Sequence, residues 1–185
     1  MKKLLALLLV FAALLSFAAC SKDGSDVPEG YKLASDSEAC AYSLYIPEAW
    51  VMGNDGTNMT TASLPGTKEE KCNISFAPVP MEEWGEGMDV PTFWQSQIPQ
   101  YKALFGESFV IVDQPSPTEP NAAIGSFKAF RYVYTATYNG ANYKIMQVLA
   151  PVSPSEVYIF TYTATADHYD THLEAVNSIL SYIKF

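Results

Sequence analysis

The sequence has 185 residues, with 20 acidic and 11 basic side chains and a net charge of −9. A chain this acidic, without a stripe of basic residues, repels nucleic acids and anionic lipid headgroups, which argues against both as partners. Its length suits a single domain with one hydrophobic core.

The first 20 residues have the order of a secretory signal. Two lysines precede an almost unbroken apolar run over residues 4–17, which is shorter than the roughly 20 residues of a transmembrane helix. Residues 17–20, Phe-Ala-Ala-Cys, resemble the lipobox of bacterial lipoproteins, with Phe17 where Leu is more usual. The resemblance implies that residues 1–19 are a signal peptide and that Cys20 carries lipid. The lipid would hold the chain on the cell membrane, facing outside the cytoplasm. Ordinary cleavage that leaves Cys20 unmodified is the alternative.

Removal of residues 1–19 leaves nine basic and 20 acidic side chains, a net charge of −11. Residues 20–30 are polar and contain glycine and proline, which predicts a lipidated N-terminus and linker. Residues 31–185 then form one globular domain.

Two cysteines lie within that domain, Cys40 and Cys72. Disulfides form outside the cytoplasm, so a bridge between the two is one prediction. The alternative is two reduced thiols, one or both of them buried as small apolar side chains.

Most of the domain is predicted to be β-strand. Short strands are predicted at Tyr31–Ala34, Ala41–Ile46, Met59–Leu64, Asn73–Ala77 and Phe109–Val112. A long hairpin follows, in which Phe130–Tyr138 and Ala141–Ala150 flank Asn139-Gly140, the strongest short signal for a tight turn. A further strand is predicted at Val157–Ala164.

The hairpin turn fixes which residues face each other. A two-residue loop pairs Tyr134 with Ile145 on one face of the hairpin and Val133 with Met146 on the other. Both faces carry apolar side chains, so we expect the sheet to be covered at least partly on both sides.

Two helices complete the prediction. The first covers about Thr92–Phe105, with Asp89 or Thr92 as its cap, and Pro99 is expected to break or kink it. The second covers about Asp167–Ile183, where apolar residues recur with the helical period.

The segment Tyr42–Trp50 resembles the opening of PsbP-like domains, because a strand ends in Pro47 and Trp follows two residues later. The order of elements over Tyr31–Phe185 is also similar. PsbP-like domains are similar in fold to the Ran-binding Mog proteins. The resemblance implies an α+β fold in which helices flank an antiparallel sheet on both faces, an α/β/α sandwich. It also implies a non-enzymatic binding or assembly module.

No catalytic motif is present in the sequence, and no catalytic residue, metal or cofactor is expected. There is no Gly-x-Ser-x-Gly elbow, phosphate loop or dinucleotide-binding glycine pattern. His168 and His172 stand four residues apart, a spacing that can hold a divalent ion on a helix. They lie beside the apolar stripe of the predicted helix, which favours ordinary surface histidines.

An acidic segment is the candidate partner-binding site. Glu82 and Glu83 precede Trp84, and Met88 follows in the same glycine-containing stretch. Trp is enriched in binding hot spots, so this loop is predicted to contact a partner. The alternative is a solvated connection whose Trp84 packs onto the core.

Tyrosines are concentrated in the hairpin and the strand after it. The six are Tyr132, Tyr134, Tyr138, Tyr143, Tyr158 and Tyr162. Rows of aromatic side chains stabilise a sheet, and they can also line an open ligand-binding face.

These observations favour an extracytoplasmic binding or assembly module with an envelope or secreted protein as its partner. A small-ligand-binding lipoprotein that uses a tyrosine-lined sheet face is the second hypothesis. A hydrolase is the third, and the missing catalytic motifs argue against it.

Overall fold

A computed structural model describes residues 27–35, 40–53, 58–65, 71–80 and 88–185. The strands in these ranges are β1 (Tyr31–Leu33), β2 (Tyr45–Pro47), β3 (Val51–Gly53), β4 (Thr60–Ser63), β5 (Asn73–Pro80), β6 (Val110–Asp113), β7 (Ala122–Ile124), β8 (Phe127–Tyr138), β9 (Ala141–Ser153) and β10 (Glu156–Thr165). The α-helices there are α1 (Val90–Phe105) and α2 (Leu173–Tyr182).

The main sheet is antiparallel and has the strand order β3-β4-β5-β10-β9-β8-β6, with β7 paired to the start of β8. β1 and β2 form a separate two-stranded sheet. The predicted strands are confirmed with shifts at their ends, except the strand predicted at Ala41–Ile46, of which only Tyr45 and Ile46 lie in β2. β3 and β7 were not predicted, because each has only three residues and neither shows an alternating apolar pattern.

The β8–β9 hairpin has the predicted turn and register. Asn139 and Gly140 both have positive φ, 49° and 76°, as a type I′ turn requires. Tyr134 pairs with Ile145 and Val133 pairs with Met146.

One helix covers each face of the sheet, which confirms the α/β/α sandwich. Trp94 of α1 belongs to a core with Tyr132 and Tyr134. Ile179 of α2 belongs to a second core on the opposite face with Val133. Alternate residues of β8 thus supply both cores, as the two apolar faces of the hairpin predicted.

Helix α1 is capped by Asp89, whose Oδ1 accepts a hydrogen bond from the Thr92 amide at 2.8 Å. The helix continues through Pro99 to Phe105, so Pro99 does not break it, and the kink stays a prediction. Pro99 lies on the exposed side of the helix, where water can solvate the carbonyl that proline leaves without an amide partner.

The second helix starts later than predicted. A turn and a 3₁₀ helix at Asp170–His172 precede α2, which begins at Leu173. The hydroxyl of Tyr162 donates to the Tyr169 carbonyl at 2.8 Å in the core. The Leu173 amide donates to the Asp170 carbonyl, three residues back, which is the 3₁₀ pattern and not the α pattern.

The C-terminus closes the α2 side of the sheet. Lys184 and Ser43 exchange backbone hydrogen bonds of 2.7 and 3.0 Å, and the Gly125 amide donates to the Leu180 carbonyl at 3.0 Å. Within the described ranges, no helix is long and apolar enough to cross a membrane.

Candidate binding surfaces

The α1 face of the sheet carries a continuous cluster of aromatic rings. Trp94 stacks on Tyr132 with ring centroids 4.2 Å apart, and Tyr101 stacks on Tyr134 at 5.4 Å. The Tyr101 hydroxyl donates to Gln147 Oε1 at 3.2 Å, which ties α1 to β9. Burial raises the pKa of Tyr132 to about 12 and also raises the pKa of Tyr134. These hydroxyls are therefore uncharged at neutral pH and act in packing.

Where α1 ends, the same face opens into a concavity of about 250 Å³, which we call the aromatic hollow. It is lined by Phe105, Tyr134, Ala136, Tyr138, Tyr143, Ile145, Thr161 and Thr163. Phe105 and Tyr138 meet edge to face with centroids 6.4 Å apart. Tyr138 is 52% exposed, although its ring is large and mostly apolar.

The rim of the aromatic hollow is polar, and its lining is uncharged. Lys71 Nζ donates to the Tyr143 hydroxyl at 2.9 Å, while Thr161 and Thr163 supply hydroxyl groups from β10. An apolar floor with a polar rim is the arrangement found at protein–protein contact sites.

The six tyrosines do not form the single face that the sequence suggested. Four of them lie on the α1 side, where Tyr134, Tyr138 and Tyr143 line the aromatic hollow. Tyr158 and Tyr162 are fully buried in the α2-side core. The cross-strand register separates the two groups. Tyr162 pairs with Met146, which pairs with Val133, and Val133 points to the face opposite to its neighbour Tyr134.

The predicted partner-binding loop is only partly described. Glu82, Glu83 and Trp84 lie outside the described residues, as does Cys20. Met88 is described, and it is partly buried against the α1-side core, next to the start of α1. The loop therefore joins the domain at the end of α1 opposite to the aromatic hollow.

No disulfide joins Cys40 and Cys72 in the structure. Cys40 Sγ is 3.7 Å from the Asn58 carbonyl, just before β4 begins, whereas Cys72 is buried just before β5. The bridge in the exported protein stays a prediction of the sequence.

The two histidines do not share an α-helical face. His168 lies in the turn before the 3₁₀ helix, where its Nδ1 is 3.0 Å from Thr165 Oγ1, and His172 directly precedes α2. Within the described part of the chain, no three His, Cys, Asp or Glu side chains converge as metal ligands would.

Sequence reasoning did not find the aromatic hollow. Phe105 ends the first predicted helix, and Tyr138 is one of the six tyrosines of the predicted hairpin and the strand after it. The usable signal was the position of Tyr138 next to the hairpin turn, where a sheet has few neighbours to bury a ring.

No protein-family model matches the sequence, and no curated protein matches it significantly. Solved structures do match. PsbP (CyanoP) of Synechocystis has a TM-score of 0.56 at 11% identity, covering 91% of this chain and 98% of that chain. The Ran-binding protein Mog1p of Saccharomyces cerevisiae has a TM-score of 0.53 at 10% identity, covering 83% and 94%.

A protein of unknown function from Pseudomonas aeruginosa has a TM-score of 0.53 at 19% identity, covering 82% of this chain and 94% of that chain. Identities this low show the fold alone. The chain has the PsbP/Mog-like α+β fold, as the resemblance in the sequence implied.

Proposed function

We propose that this chain is an extracytoplasmic lipoprotein that binds a protein partner without catalysing a reaction, and that the aromatic hollow is the binding surface. The observation that carries the proposal is the half-exposed Tyr138 over an uncharged concavity walled by Phe105 and Tyr143. Exposed rings around an apolar floor favour the insertion of a partner's anchor side chain.

The size of the hollow favours a protein partner over a free small molecule. Pockets for drug-sized ligands have volumes of about 300–1,000 Å³ and enclose most of the ligand. The aromatic hollow has about 250 Å³ and is open to solvent on one side. A space of this size suits one large apolar side chain, which the rest of a protein interface would hold in place.

The fold supports the same proposal. Mog1p, which has this fold, is a Ran-binding protein, so the fold can serve protein recognition. The strongly acidic composition of this chain gives no reason to expect the same partner. Its partner would instead be an envelope or secreted protein within reach of the membrane.

The anchor rests on the N-terminal sequence. Lipid on Cys20, followed by the linker over residues 21–30, would hold the domain within about 33 Å of the membrane.

Cys20→Ser tests the anchor, because it removes the thiol that accepts the lipid. We expect the variant to leave the membrane fraction and its intact mass to show no acyl chains. A wild-type mature protein without lipid would contradict the anchor but leave the hollow untested.

Site-specific photocrosslinking in native membranes tests the hollow. A photoreactive phenylalanine analogue at Tyr138 should capture one protein reproducibly, whereas the same analogue at Met52 should not. Met52 is a matched control, because it is 45% exposed and lies on β3 at the far edge of the sheet. The same proteins captured from both positions would contradict the assignment.

The loop around Trp84 is a second candidate surface for the same function. Met88, the described end of that stretch, lies next to the start of α1, whereas the aromatic hollow lies where this helix of 16 residues, about 24 Å long, ends. A third photoreactive position at Trp84 therefore distinguishes them. Capture from Trp84 alone would move the binding surface to the loop.

A further inference from the structure

A second concavity lies on the α2 side of the sheet, near the edge formed by β6. It has about 190 Å³ and two basic side chains, Arg131 and Lys144, in its wall. Val133 and Met146 lie between them, and Tyr169 closes one side. We call it the charged cleft. It lies on the face opposite to the aromatic hollow, and no part of the proposed function uses it.

Arg131 is the only arginine in the sequence. Its side chain makes one ion pair, from Nη2 to Asp113 Oδ2 at 3.1 Å. Its Nε atom is buried and, among the contacts of the described residues, has no hydrogen-bond partner. Guanidinium groups offer five N–H donors in a planar fork that fits a carboxylate. Most of the side-chain donors of Arg131 have no acceptor among the described residues.

Lys144 is held at the other side of the cleft. Its Nζ is 3.2 Å from Asp170 Oδ1 and 4.3 Å from the centre of the Tyr169 ring. Arg131 pairs with Val148 and Lys144 pairs with Thr135, so the two cations lie four residues, or about 13 Å, apart along the strands.

The two ion pairs of the cleft differ in exposure. The Lys144 side chain is 24% exposed and its partner Asp170 is 78% exposed, while Arg131 and Asp113 are about equally exposed, at 40% and 47%. The formal charges of the cleft cancel, so a ligand here would be held by direct hydrogen bonds and not by a net charge. The N–H donors that Arg131 leaves without an acceptor among the described residues fit a carboxylate.

We propose that the charged cleft binds the carboxylate of a small ligand that has an apolar body. Arg131 donates hydrogen bonds to the carboxylate, Lys144 supplies a second positive charge in the same cleft, and Val133 and Met146 contact the apolar part. The volume limits that part to a short acyl chain or one amino-acid side chain. The carboxylate can belong to a free organic acid or to the C-terminus of a peptide.

Nuclear magnetic resonance of the full mature chain tests this directly, because a single arginine gives a single Nε–H signal. We expect N-acetyl-leucine to move that signal in a saturable way. Its neutral isostere N-acetyl-leucinamide should not move it. A signal that does not move with the acid, or that moves equally with the amide, would overturn the proposal.

Two lysine variants test the cleft while keeping Arg131 as the reporter. Lys144→Gln should raise the dissociation constant of N-acetyl-leucine about twofold, because it removes a positive charge about 13 Å along the strands from Arg131. Lys128→Gln is the matched control: it removes the same charge from an exposed position of β8 outside the cleft. Equal weakening by both variants would show only a general charge effect and would overturn the site.

A third probe, 4-methylpentanoate, identifies the source of the carboxylate, because it keeps the branched chain and lacks the amide. Binding as tight as that of N-acetyl-leucine supports a free organic acid. Binding about tenfold weaker supports a peptide C-terminus, whose amide adds a contact.

Discussion

Several tyrosine hydroxyls are buried at the points where the sheet meets its neighbours. The Tyr42 hydroxyl lies 2.9 Å from Thr60 Oγ1 and donates to the Phe76 carbonyl at 3.1 Å. Tyr162 reaches the Tyr169 carbonyl in the same core. Tyr132, by contrast, is buried with no hydrogen-bond partner for its hydroxyl among the described residues. All of these rings contribute packing. The hydroxyl of Tyr132, however, loses its hydration on burial without gaining a hydrogen bond from the described residues.

Alkaline pH should destabilise the protein through these residues. Burial raises the pKa of Tyr132, Tyr158 and Tyr169 from 10.0 to about 12. The unfolded chain loses these protons first, so their contribution is full below about pH 10 and is lost as the pH rises towards 12. Urea unfolding at increasing pH should show this fall, while the tyrosinate absorbance of the folded protein stays low.

A phenylalanine variant checks the cause. Tyr132→Phe should be neutral or stabilising at neutral pH, because it removes an unpartnered buried hydroxyl, and its alkaline loss of stability should be smaller. Tyr182→Phe, at a partly exposed position of α2, should leave the pH dependence unchanged. Buried tyrosines that ionise in the folded protein with an ordinary pKa would contradict the account.

At the scale of elements, the turn between β7 and β8 determines how the C-terminus docks. Gly125 has φ +53°, and a side chain there would collide with the Ile183 carbonyl. No sequence pattern predicted a role for Gly125. The structure gives the glycine a packing role, since backbone just after α2 occupies the space of a β-carbon.

Gly125→Ala should therefore lower the free energy of unfolding more than Gly140→Ala does. Gly140 is the matched control, because its φ is also positive, +76°, but nothing lies within 4 Å of its missing β-carbon. Positive φ costs about 1–2 kcal/mol for alanine in both, and the collision adds about 1–3 kcal/mol at Gly125 alone. Equal losses in urea unfolding would show that the contact with Ile183 carries no energy.

Local patterns predicted the elements that depend on few neighbours. The β8–β9 register followed from Asn139-Gly140, and the α1 cap followed from Asp89, since both signals act within four residues. The start of α2 did not follow, because the helical period of the apolar residues does not distinguish a 3₁₀ turn from the first turn of an α-helix. The continuation of α1 beyond Pro99 did not follow either, because it depends on whether Pro99 faces solvent or the sheet.

At the scale of the whole molecule, the two faces of the sheet offer different chemistry. The α1 side ends in an uncharged aromatic hollow, and the α2 side has a cleft with two cations above an apolar floor. The fold could be predicted from the order of elements and the Pro47-to-Trp50 step. Neither concavity could be predicted, because each is a space between elements, and local sequence patterns do not determine how elements are placed relative to one another.

The affinity of the purified partner for three variants tests the central claim most directly. Once the protein crosslinked from position 138 is identified, its dissociation constant should rise about tenfold or more for Tyr138→Ala, since exposed aromatic anchors dominate such interfaces. Met52→Ala should leave the constant within about twofold, and so should Trp84→Ala if the hollow is the surface. Unchanged affinity for Tyr138→Ala would contradict the account.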